Sequence, residues 1–183
     1  MDARPTIRPV ALDDLDALLA YLEEQMKENG THGVPLFQPY GRATPWRAAE
    51  KAAPFRDGLV TAIGAPGWRR IWAAYDERGA TVGHVDLRAH GEPSTAHRCL
   101  LGLGVHRAHR RRGLGRALVA HAIGWATRET ALDWVDLSFL GGNAVAERLY
   151  LRAGFLRVAT VPDKFRIDGE SVDDVLMTLR LRP

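Results

Sequence analysis

The segment His106-Arg-Ala-His-Arg-Arg-Arg-Gly-Leu-Gly-Arg-Ala117 contains five arginines, two glycines and no acidic residue. It follows an apolar run, Leu100–Val105, that predicts a strand, and it precedes an amphipathic segment, Leu114–Thr127, that predicts a helix. Glycines in a turn between a strand and a helix let backbone amides approach a ligand, and the start of the helix adds partial positive charge. The segment is therefore suited to bind a phosphate group.

The common phosphate-binding signatures do not describe this turn. It contains no Gly-Lys-Ser/Thr, so it is not a P-loop, and Gly102-Leu-Gly104 lacks the third glycine of the dinucleotide fingerprint. What remains is Arg-x-x-Gly-x-Gly at residues 110–115, whose amides are placed to hydrogen-bond a pyrophosphate. The alternative is a turn eased by glycine that carries a solvated arginine cluster.

Two neighbouring features favour a binding site. Gly102 and Gly104 interrupt the predicted strand, which is typical of a bulge or of another backbone passing close by. Downstream, Asn143, Ala146 and Tyr150 recur at spacings of three and four, so they share one face of a predicted helix. Taken alone, Tyr150 is better interpreted as a half-buried core tyrosine.

Together, the segments Leu101–Val119 and Asn143–Phe155 resemble the GNAT superfamily of acyl-CoA-dependent N-acyltransferases, and Arg166–Met177 resembles the closing hairpin of that family. The resemblance implies an α/β (α+β) fold. Its mixed, mostly antiparallel twisted sheet would have about seven strands, with helices on both faces and one splayed pair of parallel strands.

Periodicity predicts the element order β-α-α-β-β-β-α-β-α-β-β, which fits that fold. The second helix is predicted to begin at Thr44-Pro45 and to kink or break near Pro54. The last two strands are predicted over 155–161 and 173–181, with a loop containing Asp168-Gly169 between them.

The resemblance also implies roles for individual residues. Pantetheine would lie between the splayed strands and bind the backbone, and the pyrophosphate would lie on the arginine–glycine turn. Tyr150 would be the general acid that protonates the departing CoA thiolate, since a phenol with a pKa near 10 is protonated at neutral pH. The implied cofactor-binding residues are Leu103, Val105, Arg110, Arg111, Arg112, Gly113, Gly115, Arg116, Asn143 and Ala146.

The general base is the point at which the sequence departs from the family. Many members carry a glutamate three residues before the position of Val105, and here that position is Gly102. Nearby alternatives are His84, Asp86, His97 or a water relay. We assign His84 as the working base because its pKa suits the task. Strand alternation places His84 and Asp86 on one face but leaves open which face, and a hydrogen-bonded structural histidine is the competing interpretation.

The bulk composition sets outer limits. With 183 residues, 46% hydrophobic and 26% charged, the chain is expected to form one domain over 1–183, with a cofactor-binding core at about 68–160 and acceptor-shaping parts at 1–67 and 162–183. A single cysteine, Cys99, excludes an intrachain disulfide, and the histidine spacing suggests no metal site. With no long apolar run and no apolar segment near Met1, we expect a cytoplasmic protein that has no membrane partner.

The function predicted from these features is transfer of an acetyl group from acetyl-CoA, as co-substrate, to a primary amine of a small molecule or peptide by direct attack. A CoA-binding regulatory module that is weak in catalysis is the alternative, supported by Gly102. Nucleic-acid binding through the arginines is the remote alternative, because the turn has no interleaved aromatics and the net charge is only +3. A homodimer is common in the family that the motifs resemble and is a further expectation.

Overall fold

A seven-stranded sheet with the order β1-β2-β3-β4-β5-β7-β6 forms the centre of the computed structural model, which describes residues 4–31 and 33–182. The strands are β1 (Thr6–Pro9), β2 (Arg69–Tyr75), β3 (Thr81–Arg88), β4 (Arg98–Val105), β5 (Trp134–Leu140), β6 (Leu156–Ile167) and β7 (Glu170–Arg180). The helices are α1 (Leu15–Met26), α2 (Ala48–Val60), α3 (Leu114–Glu129) and α4 (Ala144–Arg152). Neighbouring strands are antiparallel except β4 and β5, which are parallel. The predicted fold class and element order are confirmed.

The parallel strands β4 and β5 separate soon after they meet. Their pairing covers Arg98–Leu100 against Trp134–Asp136, whereas the pairing of β4 with β3 continues to Val105. From Leu101 onward, the edge of β4 that faces β5 therefore leaves the β-ladder. The result is a cleft between two strands of one sheet, which we call the β4–β5 cleft.

Strand alternation determines which backbone groups of β4 face this cleft. His97 O accepts from Asp133 N on the β5 side at 2.8 Å, while His106 N donates to Val82 O on the β3 side at 2.9 Å. In an antiparallel ladder, alternate residues direct both N–H and C=O to the same neighbour. The N–H and C=O groups of Leu103 and Val105 therefore point into the cleft.

Helices cover both faces of the sheet. On one face, the buried stripe Leu114, Leu118 and Ala122 of α3 packs into the main apolar cluster. On the other face, α1 and α2 close a second cluster over Ile71 and Ala73 of β2. No helix within residues 4–31 and 33–182 is long and apolar enough to cross a membrane.

The second helix differs from its prediction. Helix α2 begins at Ala48 rather than at Thr44-Pro45, and it continues unbroken through Pro54. Proline removes one backbone hydrogen bond from a helix interior. Packing of Phe55 and Leu59 against the second apolar cluster holds the turns on either side of it, so tertiary contact overrides the local preference.

The final hairpin also differs from its prediction. Most of the residues predicted as a loop belong to β6 and β7, and Asp168-Gly169 alone forms the connection. Irregular pairing between Val161 and Phe165 absorbs a mismatch of register, helped by a left-handed backbone at Asp163 (φ 51°). Local sequence pattern does not predict the pairing of β6 with β7 beyond that irregularity, because it depends on contacts between the two strands.

Truncation of Leu118 tests the assignment of α3 to the main core. This side chain is fully buried, so Leu118→Ala should lower the free energy of unfolding by about 2–5 kcal/mol. Leu151 of α4 is 50% exposed, and the matched Leu151→Ala change should alter it by only about 0.5 kcal/mol. Urea unfolding of both variants provides the measurement, and equal losses would contradict the packing described.

Candidate active site

The arginine–glycine turn closes one end of the β4–β5 cleft. Its backbone is left-handed at Arg111 (φ 60°) and at Gly113 (φ 82°), immediately before α3. Ala117 N is bonded to Gly113 O at 3.1 Å, and the N–H groups of the first turn of α3 precede the helical ladder. A Cβ added to Gly115 would lie 3.5 Å from Leu149 of α4 and 3.7 Å from Val105 of β4, which places Gly115 where these elements meet.

The arginines of the turn divide into two groups. Arg110 Nε donates to Val105 O at 2.9 Å, and Glu28, just after α1, forms ion pairs with Arg110 at 3.2 Å and with Arg107 at 3.3 Å. These two side chains join the turn to the segment that follows α1. Arg111, Arg112 and Arg116 are exposed, and so is Arg107. Of the predicted cofactor-binding arginines, Arg110 therefore has its guanidinium engaged with protein groups.

The start of α4 holds the predicted asparagine and tyrosine. Asn143 is the N-cap, and its Oδ1 accepts from Ala146 N at 3.1 Å. Tyr150 is buried between the rings of Phe139 and Phe155, and its hydroxyl makes no hydrogen bond with a described residue. Burial raises the pKa of Tyr150, so the phenol stays protonated at neutral pH.

The glycines of β4 make room for side chains of β3. His84 pairs with Gly104 and Asp86 pairs with Gly102, without a register shift. A Cβ on Gly104 would lie 2.4 Å from His84 Cε1, and one on Gly102 would lie 2.3 Å from Asp86 Oδ1. The expectation of a bulge or a passing backbone is therefore wrong. His84 and Asp86 occupy the face that the glycines leave open, which is the face covered in part by α1 and α2.

His84 belongs to a buried polar cluster that the sequence did not reveal. Its ring lies edge-on to Tyr21 of α1, with 5.7 Å between centroids, and Gln25 of α1 also approaches Gly104. His84 Nδ1 and Gln25 Nε2 are buried without a hydrogen-bond partner among the described residues. Burial lowers the pKa of His84 to about 4, so the imidazole is neutral at pH 7. The pKa near neutrality that the sequence predicts for His84 is therefore wrong, because a buried imidazole binds a proton less readily than a free one.

Asp86 is held in an ion cluster instead. Its Oδ2 lies 2.9 Å from Arg88 Nη1 and 3.9 Å from Arg69 Nη1. Burial opposes ionisation of Asp86, but the charges of Arg88 and Arg69 outweigh it and lower the pKa of the carboxyl. The other suggested base, His97, is exposed ahead of β4.

A polar network lies where the cleft begins. Asp136 of β5 pairs with Leu100 in the last rung between β4 and β5. Its carboxylate accepts from Arg98 Nε at 2.7 Å and from Thr178 Oγ1 at 2.6 Å, and it lies 3.0 Å from His90 Nε2. The sequence signal was a lone acid in an apolar strand, and its partners lie 38–46 residues away.

A cavity of about 440 Å³ lies next to the end of β5. It is bordered by the loop after α1, by Gly141-Gly142 and by the start of β7. Arg42 and Asp168 join the loop to the β6–β7 hairpin through an ion pair of 2.8 Å. Among the described residues, no group of His, Cys, Asp and Glu side chains is arranged to hold a metal ion.

Comparison with known proteins assigns this architecture. The model of the acetyltransferase (GNAT) family matches residues 38–155. The catalytic subunit NAA10 of the N-terminal acetyltransferase A complex of Arabidopsis thaliana is 27% identical over 110 residues, which are 60% of this chain and 57% of that protein. The chain therefore matches little more than half the length of that relative.

Solved structures show the same fold over nearly the whole chain. An N-acetyltransferase from Staphylococcus aureus Mu50 superposes with a TM-score of 0.79 at 18% identity, covering 98% of this chain and 100% of its own. A phosphinothricin acetyltransferase from Sinorhizobium meliloti, solved with acetyl-CoA, superposes with a TM-score of 0.77 at 21% identity, covering 97% and 89% respectively.

The buried neutral state of His84 predicts a pH dependence of stability. Between about pH 6.5 and pH 4 the unfolded chain binds a proton at this residue and the folded protein does not, so acidification in that window should destabilise the fold. The loss attributable to His84 is at most roughly 3 kcal/mol, and it should vanish in His84→Gln. Urea unfolding at pH 7 and pH 4.5 tests this, and identical losses in both proteins would contradict it.

Proposed function

The chain belongs to the acetyltransferase (GNAT) family, and we propose that it transfers an acetyl group from acetyl-CoA to a primary amine of a small molecule or peptide. The observation that carries the proposal is the β4–β5 cleft. The cleft has a free strand edge on β4 and the arginine–glycine turn at one end, and the adjoining helix α4 carries the protonated Tyr150. These are the groups needed to bind a pantetheine amide, a pyrophosphate and a departing thiolate.

Donor binding follows from groups already in place. The backbone of Leu103 and the N–H of Val105 face the cleft and would pair with the pantetheine amides, while Val105 O is taken by Arg110. Amides across 111–116 and the side chains of Arg111, Arg112 and Arg116 would hold the pyrophosphate, with Gly113 and Gly115 allowing close approach. Asn143 and Ala146 would border the thiol end.

Acetyl-CoA supplies the thioester, and the residues of this chain move the protons. The acceptor nitrogen forms a bond to the acetyl carbon as the carbon–sulfur bond breaks. His84 would take the proton that the amine loses, directly or through one water, since its imidazole is neutral at pH 7 and lies on the face of Gly102 and Gly104; its lowered pKa makes it a weaker base than a free imidazole. Tyr150, whose phenol burial keeps protonated, would give its hydroxyl proton to the leaving sulfur.

Direct transfer is favoured over an acyl-enzyme. Cys99 is the chain's one thiol, and burial raises its pKa to about 12. Its Sγ lies 3.7 Å from Trp134 O in the interior of the sheet. A buried protonated thiol is a poor nucleophile, so attack by the amine itself is the simpler route.

The acceptor site would be formed on the face of Gly102, with the 440 Å³ cavity as its entrance. Similar folds carry names that specify acceptors as different as phosphinothricin and spermidine, so the fold alone does not select one. The domain limits given above, a cytoplasmic location and a homodimer stay predictions. Engagement of Arg107 and Arg110 with Glu28 weighs against the nucleic-acid alternative.

Replacement of Tyr150 tests the general acid. Tyr150→Phe should lower kcat by roughly 10²- to 10⁴-fold, because proton donation to the thiolate is lost while ring packing is kept. Release of CoA thiol from acetyl-CoA with a panel of primary amines provides the assay. The rise in Tm that acetyl-CoA produces should be unchanged. Binding without turnover on any amine in the wild-type protein would favour the regulatory alternative.

Replacement of His84 and Cys99 separates direct from covalent transfer. His84→Gln should lower kcat/KM by roughly 10²- to 10⁴-fold through loss of the base. Cys99→Ala should leave turnover close to wild type, because the thiol has no part in the reaction. The same thiol-release assay measures both variants. Loss of activity in Cys99→Ala with the fold intact would overturn direct attack.

A further inference from the structure

An excess of positive charge lies beside Gly102. Arg69 of β2 and Arg88 of β3 share one carboxylate, Asp86, and the neighbouring His84 is neutral. All three ionised groups are largely withdrawn from solvent, with side-chain exposures of 19% for Arg69, 34% for Arg88 and 9% for Asp86. One positive charge therefore has no counter-ion among the described residues of this cluster, and a charge in such a place is costly unless it is paired.

The two guanidinium groups also retain unused donors. Arg88 makes one hydrogen bond, from Nη1 to Asp86, and Arg69 rests on the ring of Phe55 with 3.9 Å between its Cζ and the ring centroid. Each guanidinium carries five N–H donors in a planar fork, which matches the two oxygens of a carboxylate. Most of these donors have no acceptor among the described residues.

The location of the cluster connects it to the acetyl-transfer site. A Cβ on Gly102 would lie 2.9 Å from Arg88 Nη1, so the guanidinium lies over the strand at that position. Gly102 is the second residue of β4 beyond the last rung with β5, at the start of the cleft. On the neighbouring strand, Ser138 of β5 is exposed, which leaves this face of the cleft accessible.

We infer that the acceptor carries a carboxylate next to its reacting amine, as an α-amino acid does, and that Arg88 binds this carboxylate with Arg69 behind it. The inference rests on the proposed function, since it specifies the acceptor of that same site. The carboxylate supplies the missing counter-charge and accepts from the unused donors. It also directs the amine toward the cleft, because only one carbon separates the two groups.

Arg88 is therefore a specificity-determining residue, because it selects the acceptor by its carboxylate.

Matched acceptors test the inference on the full chain. Each of the common L-α-amino acids is compared with its α-carboxamide, which keeps the side chain and the amine but lacks the negative charge. We expect at least one acid to exceed its amide by roughly 10- to 100-fold in kcat/KM, the value of one or two charge-assisted hydrogen bonds. Calorimetric binding of the same pairs to the CoA-loaded protein gives a readout that does not require turnover.

Variants assign the preference to Arg88. Arg88→Gln should abolish the difference between acid and amide mainly through KM, and Arg88→Lys should restore part of it as a point charge. Arg8→Gln removes an arginine from the distant strand β1 and should leave the preference unchanged. The KM for acetyl-CoA should stay the same in all three variants, which separates acceptor binding from donor binding.

The outcomes distinguish the two proposals. Amides or simple amines that react as well as the acids would overturn the inference and leave acetyl transfer standing. Preferential binding of an acid to the CoA-loaded protein without turnover would support the inference and count against the proposed function. No preference in either assay, or a preference that survives Arg88→Gln in a folded protein, overturns the inference.

Discussion

The early end of pairing between β4 and β5 is the constraint on which the rest of the site depends. The two strands share hydrogen bonds only as far as Leu100 and Asp136, while β3 holds β4 to Val105. The Asp136 carboxylate, bonded to Arg98 and Thr178, ties together β4, β5 and β7 at that last rung. Beyond this rung, the edge of β4 that faces β5 has unpaired backbone groups, while β3 still holds the strand in the sheet. A ligand can therefore bind these groups without breaking any strand pairing.

The glycines of β4 set where the polar chemistry lies. Because Gly102 and Gly104 have no side chains, Asp86 and His84 of β3 occupy the space above them. Where the resemblance to the family implies a glutamate, this chain has Gly102, and the neighbouring strand contributes the polar side chains there. His84 is buried with no hydrogen-bond partner at Nδ1 among the described residues, and burial lowers its pKa. Asp86 forms ion pairs with Arg88 and Arg69. Under the two proposals above, catalysis and acceptor selection both depend on polar side chains of β3 that lie beside glycines of β4.

Local pattern predicted much of this molecule, and its failures share a cause. The strand before the arginine–glycine turn, the helix after it and the helix that carries Ala146 and Tyr150 depend on neighbours in sequence, and they were predicted correctly. Helix α2 runs through Pro54 because Phe55 and Leu59 pack against a distant strand. The hairpin extends past Val161 because β7 pairs with it across an irregular register. Long-range packing decided both.

The sequence by itself determined the fold class, the family and the positions of the turn, Asn143 and Tyr150, since short-range spacing encodes them. Only the tertiary structure decided which face His84 and Asp86 share, and that Arg110 is bound to Glu28, 82 residues earlier. It alone placed Arg69 and Arg88 around one carboxylate beside Gly102. Charge balance depends on which groups meet in space, and spacing along the chain does not contain that information.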